Sequence, residues 1–286
     1  MPSLRAMEPL TFDGQVAIVT GGGGGLGRSH SLELARRGAL VVVNDLGGAV
    51  DGTGSSATAA EQVVEEIRAA GGDAVANRDS VATPEGGEAI VQCALDTFGR
   101  IDVVVNNAGI LRDAAFKNVT PELLDPVIDV HLKGAFNVLR HAWPRLREQS
   151  YGRIVNTTSG SGMFGNFGQS NYGAAKAGLM GLTRVLSIEG ERNNVRVNAI
   201  APIAHTRMTE TQIPDDMVPE LISPLVAYLC HSSCEITGQA YSVGGGRVSR
   251  LFLGMTTGIT QPDLSAEMIA ERIDEIEDTG AYVIRW

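Results

Sequence analysis

Tyr172 and Lys176 stand four residues apart in YGAAK, a spacing that puts both side chains on one face of a helix. A phenol with a pKa near ~10 is a poor base at neutral pH, but a neighbouring ammonium favours the phenolate and lowers that value. Such a pair can move a proton to or from a hydroxyl group. Ser159 lies thirteen residues before Tyr172, at the end of an expected strand, where its hydroxyl could polarise a substrate oxygen. A tyrosine on a helix is more often plain packing. What turns Ser159, Tyr172 and Lys176 into candidate catalytic residues is the set of motifs that accompanies them.

The first of these is Thr20-Gly21-Gly22-Gly23-Gly24-Gly25-Leu26-Gly27, between an apolar run and an amphipathic helical pattern. Glycines there let the backbone turn tightly and approach a diphosphate, which the free N–H groups and dipole of the following helix attract. Gly21, Gly25, Leu26 and Gly27 are therefore candidate dinucleotide contacts, and Lys176 could also hold the nicotinamide ribose. Asp45 closes the second strand, 18 residues after Gly27. A carboxylate at that point accepts hydrogen bonds from the adenosine ribose and repels a 2′-phosphate, and Gly24 offers no cation to hold one. The expected cofactor is NAD rather than NADP, although Asp-Leu-Gly-Gly also reads as an ordinary turn. Asn106-Asn107-Ala108-Gly109 closes the fourth strand.

The elements that must position these groups alternate in type from residue 15 onward. Strands are expected at 15–20, 40–45, 74–77, 101–106, 153–158, 196–200 and 240–243. Helices are expected at 25–37, 57–70, 84–98, 172–190 and 218–230. A long helix starts at Thr120 or Asp125, each followed by proline, and Pro144 is expected to kink or end it. The alternation implies right-handed βαβ units, hence a Rossmann-type, doubly wound parallel sheet in a three-layer αβα sandwich. We expect one NAD-binding domain over 1–286, with its core at about 12–246 and a tail over 247–286. Leu46–Ser56, LGGAVDGTGSS, reads as a flexible insertion. The tail carries an expected helix over Leu264–Ile276, capped by Asp263 or Ser265, and reads as a dimer contact or as a lid over an apolar edge.

Composition removes several function classes. The formal net charge is -10 and no run of Lys and Arg occurs, which argues against a nucleic-acid partner. The three cysteines, Cys93, Cys230 and Cys234, cannot build a disulfide framework and suit a reducing compartment. Cys230-His231-Ser-Ser-Cys234 lacks a fourth ligand at sensible spacing, so no metal site is expected. No apolar run reaches ~18 residues, so no membrane partner is expected and the cytoplasm is the expected location.

TGGGGGLG at 20–27, NNAG at 106–109 and Ser159 followed by YGAAK at 172–176, in that order, resemble the short-chain dehydrogenase/reductase superfamily over residues 12–246. The resemblance implies Tyr172 as acid/base, Lys176 as ribose ligand and tuner of the tyrosine, and Ser159 as donor to the substrate oxygen. It also implies Asp79 and Ser80 as adenine contacts, Asn106, Ala108 and Gly109 as cofactor-supporting residues, and Thr206 as a diphosphate or carboxamide ligand. Two departures stand out. His131 occupies a position where most members carry Asn, as a possible fourth member of the relay or simple packing, and Pro202-Ile203 replaces the usual Pro-Gly before Thr206.

Finer segments, among them VVVNDLGG at 41–48, FGNFGQ at 164–169 and LCHSSCE at 229–235, resemble the dehydrogenase units of peroxisomal multifunctional enzymes type 2 and their stand-alone bacterial relatives. Those units oxidise (3R)-hydroxyacyl-CoA and have 17β-hydroxysteroid activity. The implied function is an NAD-dependent 3-hydroxyacyl-CoA dehydrogenase acting on a small-molecule substrate, acyl-CoA or steroid, as a homodimer or homotetramer. Arg112, Lys117 and Arg207 are candidates for CoA phosphates, and Met163, Phe164 and Phe167 for an acyl channel. Alternatives are a hydroxysteroid dehydrogenase, a 3-oxoacyl-carrier-protein reductase, against which Asp45 counts, and a non-catalytic nucleotide sensor.

Overall fold

The computed structural model describes residues 8–54, 58–209 and 213–285. The chain divides into two compact units, Met1–Ser249 and Arg250–Trp286. In the first unit, β1 (Val16–Thr20) leads through α1 (Gly25–Arg36) to β2 (Leu40–Asn44), and α2 (Thr58–Ala69) leads to β3 (Asp73–Asn77). Next come α3 (Pro84–Phe98), β4 (Val103–Asn106), α4 (Pro121–Ile128), a π-helical turn over Asp129–Lys133 and α5 (Gly134–Glu148). The unit continues with β5 (Gly152–Thr157), α6 (Gly160–Phe164), α7 (Ser170–Gly190), β6 (Val195–Pro202), α8 (Ser223–Cys230) and β7 (Ala240–Gly244).

The sheet has the order β3-β2-β1-β4-β5-β6-β7, with β8 (Arg247–Leu251) as edge strand. Every pair from β3 to β7 is parallel. The inner strands β1, β2 and β4 are apolar up to their last residue because helices cover both faces. Alternate residues of one strand serve opposite layers: Ala17 and Val19 pack with α1, α2 and α8, whereas Val16 and Ile18 pack with α3, α5 and α7. Each fully buried Val or Ile contributes ~1.5–3 kcal/mol, so truncating Ile18 to Ala would cost ~2–5 kcal/mol.

Helix boundaries follow from local chemistry. The α3 N-terminus has Thr83 as its cap, whose hydroxyl accepts from the Gly86 amide at 3.1 Å, with Pro84 at the first helical position. Gly99 ends the helix in the left-handed conformation. The long helix begins after Thr120, not Asp125. Pro144 does not end α5, which continues to Glu148. Pro144 and Arg140, whose carbonyl it cannot satisfy, are both exposed, while Val138, Leu139, Ala142 and Leu146 are buried on the opposite face. The unbonded carbonyl thus belongs to the solvent side of the helix, and burial of the apolar stripe outweighs the ~3 kcal/mol proline penalty. The expected helix over 218–230 is a 3-10 turn, Pro219–Leu221, followed by α8.

The second unit contains β9 (Leu253–Thr256) paired antiparallel with β10 (Tyr282–Arg285), and the short helices α9 (Ala266–Glu271) and α10 (Ile273–Glu277). The single helix expected over Leu264–Ile276 is thus broken at Arg272. Of the two cap candidates, Ser265 is the one used, accepting from the Met268 amide at 3.2 Å. No helix of the described residues is long and apolar enough to cross a membrane.

Candidate active site

The strand order reverses between β1 and β4, and α/β sheets bind ligands in the crevice outside the strand C-termini at such a point. A cavity of about 660 Å³ occupies this crevice. Of the candidate residues, Gly21, Gly25, Leu26, Asp45, Asp79, Ser80, Ala108, Gly109, Ser159, Tyr172, Lys176 and Thr206 line it. Gly27 and Asn106 do not.

The glycine turn is built by close approach. Gly21 has φ +64, and a Cβ there would meet the Ala108 Cα at 2.8 Å; a Cβ on Gly27 would overlap the Gly21 carbonyl. Gly27 therefore shapes the turn from behind instead of facing the cavity. Thr20 Oγ1 accepts from the Asn107 and Ala108 amides at 3.0 and 3.1 Å, and Asn107 Nδ2 donates to the Thr20 and Gly21 carbonyls. These bonds lock the turn to the end of β4. No side chain caps α1 at Gly24, so its first N–H groups are left for a ligand.

Asp45 Oδ2 accepts from the Gly23 amide at 2.9 Å, and Oδ1 from the Gly47 amide at 2.6 Å. The carboxylate thus serves the turn while it lines the cavity, and each oxygen keeps a lone pair to offer. Asp79 Oδ2 accepts from Asn77 Nδ2 at 2.7 Å, and Asn44 Nδ2 donates to Asn77 Oδ1 at 2.8 Å and to the Asp79 carbonyl at 2.9 Å. Sequence reasoning missed Asn44 and Asn77. Polar residues ending two adjacent, otherwise apolar strands were the signal that could have found them.

Asn106 sits in the sheet, donating through Nδ2 to Asn156 Oδ1 at 2.8 Å; Asn156 in turn donates to Thr183 Oγ1 on α7 at 2.9 Å. This ladder sets α7 against β5 and so supports Lys176 from below. Lys176 is buried, with Nζ donating to the Thr157 carbonyl at 2.6 Å and lying 5.4 Å from the centre of the Tyr172 ring. Burial pulls the Lys176 pKa down to about 7. Burial raises that of Tyr172, a hydrogen bond with Ser159 lowers it, and the negative charge of Asp113 raises it. Ser159 caps α6, its hydroxyl accepting from the Ser161 amide at 3.2 Å.

His131, buried in the π-helical turn, meets the Tyr172 ring edge-on at 5.1 Å, and its Nε2 lies 2.8 Å from the Ile110 carbonyl oxygen. Burial, then the Lys176 charge, hold its pKa well below the ordinary value against the Ile110 hydrogen bond, so the imidazole is neutral. Asn171, also missed, fixes the start of α7: Nδ2 donates to the Arg112 and Leu123 carbonyls at 2.9 and 2.7 Å, and Oδ1 accepts from the Tyr172 amide at 2.8 Å.

The Thr206 methyl faces Gly25, and Arg207 Nη2 reaches 3.4 Å from where a Gly24 Cβ would stand. Arg112 lines the cavity too, whereas Lys117, Met163, Phe164 and Phe167 do not, and the two phenylalanines are exposed. The apolar channel expected from Met163, Phe164 and Phe167 is absent from the described cavity wall.

Residues 15–216 match the model of the short chain dehydrogenase family. The chain belongs to this family. Such short chain dehydrogenases generally use NAD(P). The chain is 56% identical over 255 residues to the peroxisomal multifunctional enzyme type 2 of Mus musculus, covering 88% of this chain and 34% of that protein. It thus spans about a third of that relative's length. It is 53% identical over 275 residues to a Mycobacterium tuberculosis protein provisionally named a short-chain type dehydrogenase/reductase, covering 94% of this chain and 96% of that one. The crystal structure of a short chain dehydrogenase from Mycobacterium avium is 45% identical, with a TM-score of 0.82, covering 92% of this chain and 94% of that one.

Proposed function

We propose that this chain is an NAD-dependent oxidoreductase that interconverts a secondary alcohol and a ketone, with a 3-hydroxyacyl-CoA thioester as its substrate. The observation that carries the reading is the convergence of Ser159, Tyr172 and Lys176 on one cavity wall, with an uncapped glycine turn on the same cavity. The residues fit a dinucleotide. The free N–H groups of α1 suit its diphosphate, Asp45 suits an unphosphorylated ribose, and the Asp79–Ser80 segment suits the adenine. When bound, the nicotinamide supplies the hydride acceptor at C4.

The remaining chemistry belongs to the chain. Ser159 donates a hydrogen bond to the substrate oxygen, and Tyr172 takes the hydroxyl proton during oxidation and returns it during reduction. Lys176 favours the phenolate by its charge. His131 holds the Ile110 peptide and backs the Tyr172 ring, which keeps the phenol aimed at the cavity. The thioester assignment is supported by the similarity to the peroxisomal multifunctional enzyme and by the segments that resemble its dehydrogenase unit. Asp45 supports NAD over NADP, since a 2′-phosphate would meet a carboxylate already engaged with Gly23 and Gly47.

The test is NADH formation, screened in parallel over 3-hydroxyacyl-CoA thioesters and free hydroxysteroids, with Tyr172→Phe as control. The expected result is turnover of thioesters that the variant loses while still binding NADH. Turnover of free steroids alone would replace the thioester reading, and full turnover by Tyr172→Phe would overturn the acid/base assignment.

A further inference from the structure

We propose that Leu46–Gly54 forms a strap across the dinucleotide site and that Arg112 is the positioning residue that pins it; the inference rests on the NAD reading above. The segment departs from the end of β2 and contacts the residues that follow β4. Because β1 lies between these two strands, a connection from the end of β2 to the end of β4 must cross the end of β1, where the glycine turn sits. Leu46, Gly48, Ala49, Val50 and Gly52 line the cavity from this crossing.

The strap is internally closed. The Gly52 amide donates to the Ala49 carbonyl at 2.9 Å and the Ala49 amide to the Thr53 carbonyl at 2.8 Å. Asp51 Oδ1 accepts from the Thr53 amide at 2.9 Å and from the Thr53 hydroxyl at 2.7 Å. Its near end is tied to Asp45 through the Gly47 amide. Its far end is tied to the β4 loop, where the Leu111 amide donates to the Val50 carbonyl at 2.9 Å. Gly52, at φ +84, lets the backbone settle against Ile110, whose Cδ1 would stand 3.0 Å from any Cβ there. The segment is thus a packed loop, unlike the flexible insertion its glycine content suggests, up to residue 54; Ser55 and Ser56 lie outside the described residues.

Arg112 makes the joint. Its Nε donates to the Asp51 carbonyl at 2.8 Å and its Nη1 to the Glu122 carbonyl at 2.6 Å, so one guanidinium holds the strap against α4. The Arg112 carbonyl accepts from Asn171, the residue that receives the Tyr172 amide. Strap, α4 and the catalytic helix therefore meet at one residue. Two of the five guanidinium N–H donors are thereby engaged with backbone carbonyls of two separate segments, which places this arginine to position the strap. The ligand that the strap encloses is the adenosine and diphosphate half of the cofactor.

The experiment measures NADH binding by fluorescence, and KM and kcat for NAD and for the thioester, in the full chain and in Arg112→Ala, Arg112→Lys and Gly52→Ala. Arg112→Ala should raise the NADH Kd and the KM for NAD about tenfold, with a smaller change in kcat and in thioester KM. Arg112→Lys, which can keep one of the two bonds, should fall between. Gly52→Ala should act in the same direction while leaving the arginine intact, which covers the case in which an Arg112 variant does not fold. Wild-type NADH binding with no change in any folded variant would overturn this inference alone, and a rise confined to thioester KM in Arg112→Ala would give Arg112 to the substrate instead. A wild-type chain that binds no NADH would overturn the parent reading and this one with it.

Discussion

Replacing Lys176 with Met keeps an unbranched side chain, one atom shorter, and removes its charge. Nζ lies 5.4 Å from the centre of the Tyr172 ring. At an effective dielectric constant of ~20, a unit charge at that distance stabilises a phenolate by about 3 kcal/mol, or roughly 2 pKa units. Burial works the other way on both groups, raising the tyrosine and pulling the lysine to about 7. Without the lysine, the phenol is left with its own value, raised by burial. Oxidation needs Tyr172 deprotonated, so a higher pKa moves the acid limb of kcat/KM to higher pH. The variant should show that limb shifted upward by about 2 units and activity at pH 7 reduced about 100-fold. The assay is NADH formation from the alcohol between pH 5 and 10, with NADH affinity measured separately. An acid limb within about half a unit of the wild type, with the whole loss in KM for NAD, would refute the electrostatic argument and leave Lys176 a ribose ligand only.

The other predictions concern the walls and the frame of the site. Asp45→Ser removes a carboxylate that would face a 2′-phosphate, so the NAD/NADP ratio of kcat/KM should fall at least ~10-fold; an unchanged ratio would leave Asp45 as a turn residue through Gly47. Arg207→Ala withdraws a guanidinium from the glycine turn and should raise KM for NAD about 10-fold; a rise in thioester KM alone would assign Arg207 to CoA. His30 is fully buried, with Nδ1 2.8 Å from Ser223 Oγ, and burial holds its pKa at about 3 instead of 6.5. Because the unfolded chain takes up this proton and the folded chain does not, stability is full above pH 6.5 and declines as pH falls toward 3, by about 2 kcal/mol at pH 5. Urea unfolding of the wild type and of His30→Gln at pH 7 and pH 5 should show the smaller pH effect in the variant; equal pH dependence would refute the assignment.

The parts legible in the sequence are those that repeat or that force the backbone. Buried strands such as Val41–Val43 and Val103–Val105 announce themselves as β-branched runs because both faces are covered, and the helices between them by their apolar spacing. The glycine turn is legible because close approach leaves no other residue type possible at Gly27. Local signals were misread where tertiary packing outweighed them. Of the two outcomes expected at Pro144, a kink or an end, the end does not occur: Leu146 two positions later is fully buried and the helix continues to place it. In the second unit, the apolar spacing over Leu264–Ile276 suggested one helix, but the chain breaks at Arg272; the four residues of β10 are too few to show alternation.

What the sequence hides about the site is its second ring of contacts, and the reason is range. Asn44 and Asn77 meet across 33 positions, Asn171 reaches back 59 to the Arg112 carbonyl, and Arg112 reaches back 61 to Asp51. None of these pairs has a spacing that a helix or strand period could reveal, and the acceptors are mostly backbone carbonyls, which carry no residue identity. The same contacts decide how the site works. Tyr172, Lys176 and Ser159 carry the chemistry by their type, but a phenol directs a proton only if α7 starts at a fixed point, and Asn171 sets that point by holding Arg112, Leu123 and Tyr172 together. The reactive groups are therefore readable from composition and order, whereas the accuracy with which they are aimed resides in amide and guanidinium groups whose partners only the fold supplies.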